Sequence, residues 1–228
     1  MAVTDRLVGF SASGLTGVWA EENTRENIYD AFRRKETFAT SGPRIKVRFF
    51  SGYNFEDSKI NDLELIQKAY ANNLSMGSTI NIEEGRSPKF LVWAIADSMG
   101  APLQRIQIIK GWLENGEHRE KVYDVACSDG LVVNSSTFRC PDNGAKVDIE
   151  NCSISESLGA SELKTFWVDP DFLKNQRAFY YARVLENPVC RWSTWDSIRE
   201  GVKPRSDIPT TIQERAWTSP IWFEPTNS

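Results

Sequence analysis

The sequence has almost no histidine, which limits the catalysis it can support. His118 is the single histidine among 228 residues, whereas zinc sites and Ser-His-Asp sets depend on imidazole groups. It lies in the Asn-Gly-Glu-His-Arg stretch at residues 115–119, which is typical of a β-hairpin tip. We therefore interpret His118 as an exposed loop residue, and the sequence predicts no catalytic residue and no metal site.

The sequence also lacks long apolar runs and clusters of positive charge. No apolar run approaches about eighteen residues, so neither a transmembrane helix nor membrane insertion is predicted. The start, MAVTDRLVGF, lacks the charged region and apolar core of a signal peptide, and we expect any export signal to lie elsewhere. With 27 basic and 31 acidic side chains, the net charge is −4. Because no basic tract is available to neutralise phosphates, nucleic acid is not expected as a partner.

What is present is the composition of an ordinary globular protein. Hydrophobic residues make up 40% of the chain and charged residues 25%, which argues against disorder and predicts a buried core. A chain of this length is expected to form one domain, or a domain and part of a second.

Four cysteines indicate disulfides. Cys127, Cys140 and Cys152 lie in a polar loop, residues 127–157, and Cys190 follows later. An even number without C-x-x-C pairs favours two bridges over a zinc site, with reduced thiols as the alternative. Of the three possible pairings we expect Cys140 with Cys152, which closes a short loop, and Cys127 with Cys190. Disulfides would place the protein in the periplasm or outside the cell.

Residues 14–45 predict a helix followed by a turn. Asn23 and Glu26 have the spacing of a capping box, and Ile28, Ala31 and Phe32 recur at helical intervals. The sequence therefore predicts a helix over about residues 24–35, which Thr-Ser-Gly-Pro at residues 40–43 ends. Since few residues precede this helix, we expect it to pack against a body outside the sequence.

Beyond this turn the pattern is that of β-structure. A surface helix is predicted at residues 62–70 and a short helical turn at residues 159–165. Strands are predicted at residues 44–50, 78–82, 89–96, 103–111, 120–125, 177–185 and 212–223. About seven strands at this spacing predict a mainly β fold, an immunoglobulin-like antiparallel β-sandwich.

Two of the predicted strands are apolar on both faces, unlike strands with one face in water. Residues 90–96 read FLVWAIA and residues 178–182 read AFYYA. We expect another layer to cover these strands. The candidates are the helix at residues 24–35, a long loop, another subunit or a missing domain.

Several polar groups have a functional interpretation beside a structural one. Glu21 and Arg25 form a polar cluster at the helix start, where capping and surface charge are the alternative. Ser41 and its neighbours have hydroxyl and amide groups that suit an anion, but a simple turn uses the same residues. The acidic side chains between residues 142 and 150 suit calcium but lack the EF-hand spacing.

Aromatic side chains suggest a binding surface. Eight tryptophans are many for this length, and exposed indole rings bind sugars by stacking. Four of them, Trp192, Trp195, Trp217 and Trp222, lie in the C-terminal third. Trp195 and Trp217 are selected as the candidates for such a surface. Filling of the core and its interface is the alternative role for these rings.

Four long stretches resemble one bacterial family. They are GLTGVWAEENTRE at residues 14–26, YDAFRRKETFATSGPR at 29–44, RIQIIKGW at 105–112 and QERAWTSPIW at 213–222. These strings resemble the C-terminal part of the bacterial domain-of-unknown-function 3604 family, and the resemblance covers nearly the whole chain. Proteins of that family are similar to the polymerase-and-histidinol-phosphatase superfamily, whose catalytic half is a distorted β/α barrel that holds metal ions with His and acidic ligands.

The resemblance implies a chain that divides at its first turn. Residues 1–43 would be the C-terminal edge of a metal-hydrolase barrel, with Glu21, Arg25 and Ser41 near its rim. Residues 44–228 would be an appended β-sandwich that contains the cysteine loop. The metal-binding His motifs of the superfamily would lie upstream of Asp5, so zinc or manganese is expected only in the missing N-terminal half. No catalytic residue of the family falls on this sequence.

Together these observations predict a non-catalytic accessory or structural portion of a metal-dependent hydrolase. Its expected partner is the missing N-terminal catalytic domain or another subunit. The alternative is a stand-alone binding module for carbohydrate or a protein partner. An enzyme in its own right is disfavoured by the single histidine.

Overall fold

The computed structural model describes residues 13–55 and 59–226. Residues 1–12 of the segment 1–43, together with residues 56–58, 227 and 228, lie outside the described residues. The helices within these ranges are α1 (Arg25–Arg33), α2 (Leu65–Asn72) and α3 (Trp192–Arg199). The strands are β1 (Leu15–Val18), β2 (Thr37–Thr40), β3 (Lys46–Gly52), β4 (Leu74–Ser75), β5 (Thr79–Asn81), β6 (Lys89–Ile95), β7 (Leu103–Glu114), β8 (Glu117–Cys127), β9 (Glu162–Val168), β10 (Ala178–Glu186), β11 (Val189–Cys190), β12 (Thr211–Ile212), β13 (Arg215–Thr218) and β14 (Ile221–Glu224).

The larger sheet is built around β10. Strand β7 pairs with one side of β10 along its length, and β8 pairs with β7. On the other side, β13 and β14 pair with successive parts of β10. Strands β2 and β1 continue the sheet beyond β13. Strand β5 runs parallel to β14, whereas the other pairings described in this sheet are antiparallel.

The smaller sheet has the order β4-β3-β6-β9 and shares a hydrophobic core with the larger sheet. Phe90 of β6 lies between the sheets, with its ring centroid 4.7 Å from that of Tyr180 and 5.7 Å from that of Phe223. All three rings are fully buried. Strands β11 and β12 form a separate short pair. The mainly β fold predicted from the sequence is confirmed.

Helix α2 covers the outer face of the smaller sheet. Leu65 and Ala69 of this helix are buried against Phe50 and Leu91 in a second apolar cluster. Leu91 belongs to the stretch 90–96 that is apolar on both faces. Its covering layer is therefore a helix of the same chain, although not the helix expected at residues 24–35. On the outer face of β10, by contrast, Phe179 and Tyr181 remain half-buried.

Helix α1 forms as predicted but with a different cap. Thr24 has extended backbone angles, and its Oγ1 accepts the backbone N–H of Asn27 at 3.3 Å. The predicted capping box at Asn23 is wrong, because the cap is the last extended residue before the helix and Thr24 holds that place. The helix ends at Arg33, and Lys35 turns the chain with a φ of 59°. Strand β2 follows where the sequence predicts only the end of a helix.

The described part of residues 1–43 is joined to the larger sheet through β2. Ala39 lies opposite Trp217 of β13, and the indole N–H of Trp19 donates to the carbonyl of Val47 at 2.8 Å. The predicted turn is present at residues 41–43 and leads from β2 in the larger sheet to β3 in the smaller sheet. Residues 41–43 therefore form the passage between the two sheets.

The structure differs from the predicted elements in several places. The helical turn predicted at residues 159–165 is wrong, because the chain from Glu162 onward pairs with β6 as strand β9. The strand predicted at residues 212–223 is divided into β12, β13 and β14, and Pro220 between the last two lacks an amide hydrogen for a continuous ladder. Helix α3 is not predicted. The other predicted strands are confirmed with shifted ends.

Both disulfides are present, but the expected pairing is wrong. Cys127 is bonded to Cys140, and Cys152 to Cys190. After β8 the chain folds back so that the backbone N–H of Cys140 donates to the carboxylate of Asp124 at 2.7 Å. This return along β8 brings Cys140 beside Cys127, which loop length alone does not reveal. Two bridges are compatible with an extracellular or periplasmic location.

An ion pair is buried next to the shared core. The ammonium group of Lys110 donates to Asp169 at 2.8 Å, and the hydroxyl of Tyr180 donates to the same carboxylate oxygen at 2.7 Å. Burial raises the pKa of Tyr180, and the charge of Asp169 adds to the rise, so the tyrosine stays neutral. This ion pair is satisfied where it is buried, as a buried charge requires.

Candidate binding cleft

The β7–β8 hairpin forms one wall of an open cleft. Asn115 and Gly116 connect the strands with φ angles of 53° and 82°, the left-handed conformations that a two-residue type I′ turn requires and that Asn-Gly favours. Leu113 of β7 lies opposite His118 of β8, and Leu113 is 66% exposed. The predicted hairpin tip is confirmed, and His118 is exposed beside it.

Two aromatic rings on adjacent strands form the floor of the cleft. Phe179 of β10 pairs with Trp222 of β14, and their ring centroids are 5.0 Å apart at an interplanar angle of 46°. On its other side Phe179 pairs with Gly111 of β7. A Cβ atom at residue 111 would stand 2.3 Å from the phenyl ring. The absence of a side chain on β7 therefore allows the ring to lie across that strand.

Residues 173–177, which precede β10, form the opposite rim. Leu173 is 58% exposed there. The guanidinium group of Arg177 lies 5.4 Å from the centroid of the Trp222 ring, and its Nε donates to Glu224 at 2.8 Å. Cation–π attraction and the carboxylate together hold this arginine over the indole.

The cleft has a volume of about 940 Å³ and combines aromatic, amide and charged groups. Trp112 also lines it, and its indole N–H is buried without an acceptor among the residues that the structure describes. Arg119 forms ion pairs with Glu114 at 3.4 Å and Glu117 at 2.8 Å. The lining of the cleft further includes Glu120, Lys174, Asn175 and Gln176. We refer to this site as the aromatic cleft.

A smaller cleft of about 380 Å³ lies where the N-terminal segment meets the smaller sheet. The guanidinium group of Arg48 lies 3.5 Å from the Trp19 ring centroid and donates to the hydroxyl of Tyr70 at 2.6 Å. That hydroxyl donates to the buried carboxylate of Glu36, which also accepts from Ser75. Burial raises the pKa of Tyr70, and the bond to Glu36 adds to the rise. These five residues are called the Arg48 clamp below.

Comparison with known families identifies the family of this chain. The DUF3604 family, described as a protein of unknown function, matches residues 2–225. The chain belongs to this family. The family expected from the four sequence stretches is thus confirmed. No curated protein and no solved structure matches the chain.

In this DUF3604 chain, Ser41 is separated from the other two predicted rim residues. Glu21 lines the smaller cleft beside the Arg48 clamp, and Arg25 is the exposed first residue of α1. Ser41 follows the far end of β2, where its hydroxyl donates to the carboxylate of Glu214. The hydroxyl that a bound anion would need is therefore already used within the chain.

Neither tryptophan selected from the sequence of this DUF3604 chain lines the aromatic cleft. Trp195 is 40% exposed on α3, beside Trp192 at 39%, and Trp217 is half-buried on the outer face of β13. Trp222 is one of the four C-terminal tryptophans considered from the sequence, and it lines the cleft. The floor ring that sequence reasoning missed is Phe179. The available signal was the stretch 178–182, apolar on both faces, together with the tryptophan of residues 221–223.

The acidic loop considered for calcium forms local turns. Asp142 accepts the backbone N–H of Gly144 at 3.0 Å, and Asp148 accepts that of Glu150 at 2.9 Å. Each is a turn in which the aspartate bonds to the backbone two residues on. Within residues 13–55 and 59–226, no three His, Cys, Asp or Glu side chains are grouped as metal ligands. In the same ranges no helix combines the length and apolar character needed to cross a bilayer.

Proposed function

We propose that this chain is the non-catalytic C-terminal accessory portion of a larger metal-dependent hydrolase. Its role is to dock on a catalytic body, which carries the zinc or manganese ions, and to cover part of it. One observation carries the proposal: apolar side chains of the N-terminal segment remain uncovered. Leu15 is 45% exposed, Tyr29 60% and Phe32 50%.

The uncovered surface is concentrated on α1. Tyr29 and Phe32 are three residues apart and therefore share one face of the helix. The buried residue of this helix is Ala31. A surface helix normally turns its apolar stripe towards the core, whereas here two aromatic rings point away from it. Exposed apolar patches of this kind mark interaction sites.

Strand β1 adds a second element to this surface. In the described part of the larger sheet it is an edge strand that pairs with β2 alone, and an unpaired strand edge readily accepts another element. Leu15 is its first residue. On this proposal the catalytic barrel packs against β1 and α1, and residues 1–43 form the edge of that barrel. The disulfides support a periplasmic or secreted protein.

The immunoglobulin-like assignment of residues 44–228 is part of the same proposal. Two mainly antiparallel sheets with a shared core support it, since this is how an immunoglobulin-like sandwich is built. The strands β1 and β2 extend the larger sheet beyond such a unit. They are the elements that would connect the sandwich to the barrel.

Reconstitution tests the accessory role. The polypeptide encoded directly upstream is coexpressed with this chain, and complex formation, bound metal and phosphoesterase turnover are measured. We expect a complex that Tyr29→Ser combined with Phe32→Ser weakens roughly tenfold or more. Leu63→Ser, at a fully exposed leucine outside residues 1–43, is the matched control. Stoichiometric metal with turnover in this chain alone would overturn the proposal, as would the absence of a complex.

A stand-alone binding module for carbohydrate or a protein partner is the second candidate. The aromatic cleft favours it, because Trp112, Phe179 and Trp222 line an open site that no residue of the described chain fills. Concave sites with aromatic walls and a few polar groups are typical of ligand binding. A ligand that binds here with the same affinity in the Tyr29 and Phe32 variants would identify a function separate from docking.

A further inference from the structure

We propose that the aromatic cleft binds a neutral oligosaccharide. The inference rests on the binding role given above as the second candidate and does not depend on the hydrolase assignment. With about 940 Å³, the cleft is near the upper end of the roughly 300–1,000 Å³ found for small-molecule sites. It therefore has room for several sugar units rather than one.

The floor of the cleft matches the faces of a sugar ring. Phe179 and Trp222 are inclined by 46° with their centroids 5.0 Å apart, so their exposed surfaces form an apolar trough. A pyranose presents C–H groups on its faces and hydroxyl groups around its edge. Because the face of an aromatic ring carries partial negative charge, it attracts these weakly polarised C–H groups. Stacking thus fixes the plane of the sugar and leaves its hydroxyls directed at the walls.

The rim of the cleft matches the hydroxyl edge. Asn115, Asn175 and Gln176 line the cleft, and a side-chain amide both donates and accepts hydrogen bonds. Sugar hydroxyls also do both, so each amide can bond to them in either direction. An acyl chain has no donor or acceptor to offer these amides. The rim therefore suits a polyhydroxyl ligand better than a lipid.

The charges around the cleft select a neutral ligand. Arg119 and Arg177 are both paired with glutamates, and Lys174 and Glu120 contribute one charge of each sign. Phosphate, sulfate and uronate groups are bound by cations that form charge-assisted hydrogen bonds with them. The cleft has no excess of positive charge, so an acidic glycan or a phosphorylated ligand gains little there.

The hydrogen bonding of the floor argues against an extended peptide. Peptides bound to sheets commonly pair with a free strand edge. At Phe179, β10 is paired with β7 on one side and with β14 on the other, and β7 is itself paired with β8 on its second side. The floor strands have no edge to offer, so recognition depends on side chains, as in glycan binding.

Isothermal titration calorimetry tests the proposal with four neutral hexasaccharides: cellohexaose, xylohexaose, chitohexaose and mannohexaose. We expect at least one of them to bind, with an affinity that changes less than about twofold between about 50 mM and about 500 mM salt, because no ion pair forms. Trp222→Ala and Leu113→Arg are expected to weaken binding roughly tenfold or more. Since Leu113 is exposed on the wall, its replacement blocks the cleft without disturbing the core.

Matched controls separate the cleft from other surfaces. Leu63→Arg changes a fully exposed leucine and Trp195→Ala an exposed tryptophan, both outside the cleft, so the affinity is expected to stay within about twofold. Tyr29→Ser with Phe32→Ser is likewise expected to leave it unchanged, which distinguishes this test from that of docking. Hexagalacturonate and an unstructured decapeptide serve as competing probes.

Four results would overturn the proposal. One is that none of the four neutral hexasaccharides binds. The second is that hexagalacturonate or the decapeptide binds in their place with strong salt dependence, which would indicate an anion or peptide site. The third is binding that survives Leu113→Arg. The fourth is binding lost in Trp195→Ala, which would place the site on α3.

Discussion

The phenyl ring of Phe179 lies so close to Gly111 on the neighbouring strand that a Cβ atom at residue 111 would stand 2.3 Å from it. This contact joins β10 to β7 at the floor of the aromatic cleft. Glycine inside a strand has no side chain to pack and often marks such a close approach. The same glycine therefore determines both the packing of the sheet and the shape of the cleft.

Gly111→Ala is expected to destabilise the chain. The added methyl group displaces the ring of Phe179, and overpacking of this kind costs about 1–3 kcal/mol of unfolding free energy. Urea-induced unfolding measures the change. In a Phe179→Ala background, Gly111→Ala is expected to lower the unfolding free energy by about 0.5 kcal/mol or less, because the ring that the new methyl group would contact is absent. Two substitutions affect each other in this way only when their residues are in contact. Equal costs in the two backgrounds would show that the contact does not exist in solution.

Loss of the two disulfides is expected to destabilise the chain unequally. The bridge Cys127–Cys140 spans 13 residues and Cys152–Cys190 spans 38. By the loop-entropy relation, each bridge restricts the unfolded chain by an amount that grows with the loop, about 3 and about 4 kcal/mol respectively. Urea unfolding of the two double-alanine variants is therefore expected to show the larger loss for Cys152 with Cys190. The reverse order would exclude loop entropy as the main effect.

Peptide mapping is the control for this pairing. Trypsin cleaves after Lys121, Arg139, Lys146, Lys164 and other basic residues, and so separates all four cysteines. Under non-reducing conditions we expect residues 122–139 linked to 140–146, and residues 147–164 linked to 184–191. A peptide in which Cys140 is joined to Cys152 would restore the pairing expected from the sequence.

Strands with a strong alternating pattern could be predicted from the sequence. Val47 and Phe49 are expected to point inwards from β3, and both are fully buried, because alternation places every second side chain on one face. Strand β2 has only four residues, too few for a periodic pattern. It exists as a strand because β1 and β13 pair with it, and β13 lies far away in the sequence.

The aromatic cleft could not be predicted for the same reason. Its floor depends on Gly111, Phe179 and Trp222, which come from three different strands. Local periodicity shows that β10 is apolar on both faces but not which strands flank it. The disulfide pairing likewise depends on the return of the chain along β8, a contact that no local pattern encodes. The family, by contrast, was recognisable because its strings are long and continuous.

Arg48→Lys is expected to destabilise the chain although the charge is kept. The planar guanidinium group lies 3.5 Å from the centroid of Trp19 and donates to Tyr70, and an ammonium group does not reproduce both contacts. We expect a loss of about 0.5–2 kcal/mol, the range of cation–π interactions. Urea unfolding measures it, with Lys46→Arg at an exposed position of the same strand as control. A loss of similar size in the control would rule out a specific clamp.

Glu186 of β10 is a carboxyl group buried close to two other carboxylates. It is 1% exposed, and one of its oxygens has no hydrogen-bond partner in the described part of the chain. Burial raises the pKa of Glu186 to about 8. The charges of Glu214 and Asp97 add to this rise, whereas a hydrogen bond from the backbone of Ala101 opposes it. The carboxyl group is therefore mainly protonated at neutral pH.

The stability of the chain is expected to fall as the pH rises through the window set by this pKa. Between the ordinary value of 4.5 and about 8, the folded chain keeps a proton that the unfolded chain has released. The free energy of unfolding then declines by as much as about 1.4 kcal/mol per pH unit. The stabilisation that the protonated Glu186 side chain contributes is fully present below this window and is lost above it.

Because glutamine does not titrate, Glu186→Gln is expected to flatten the pH dependence of the unfolding free energy, measured by urea unfolding between about pH 5 and about pH 8.5. The control variant Glu156→Gln, at an exposed position, is expected to leave this pH dependence unchanged. Equal slopes for the unsubstituted chain and Glu186→Gln would mean that residue 186 is ionised in the folded protein.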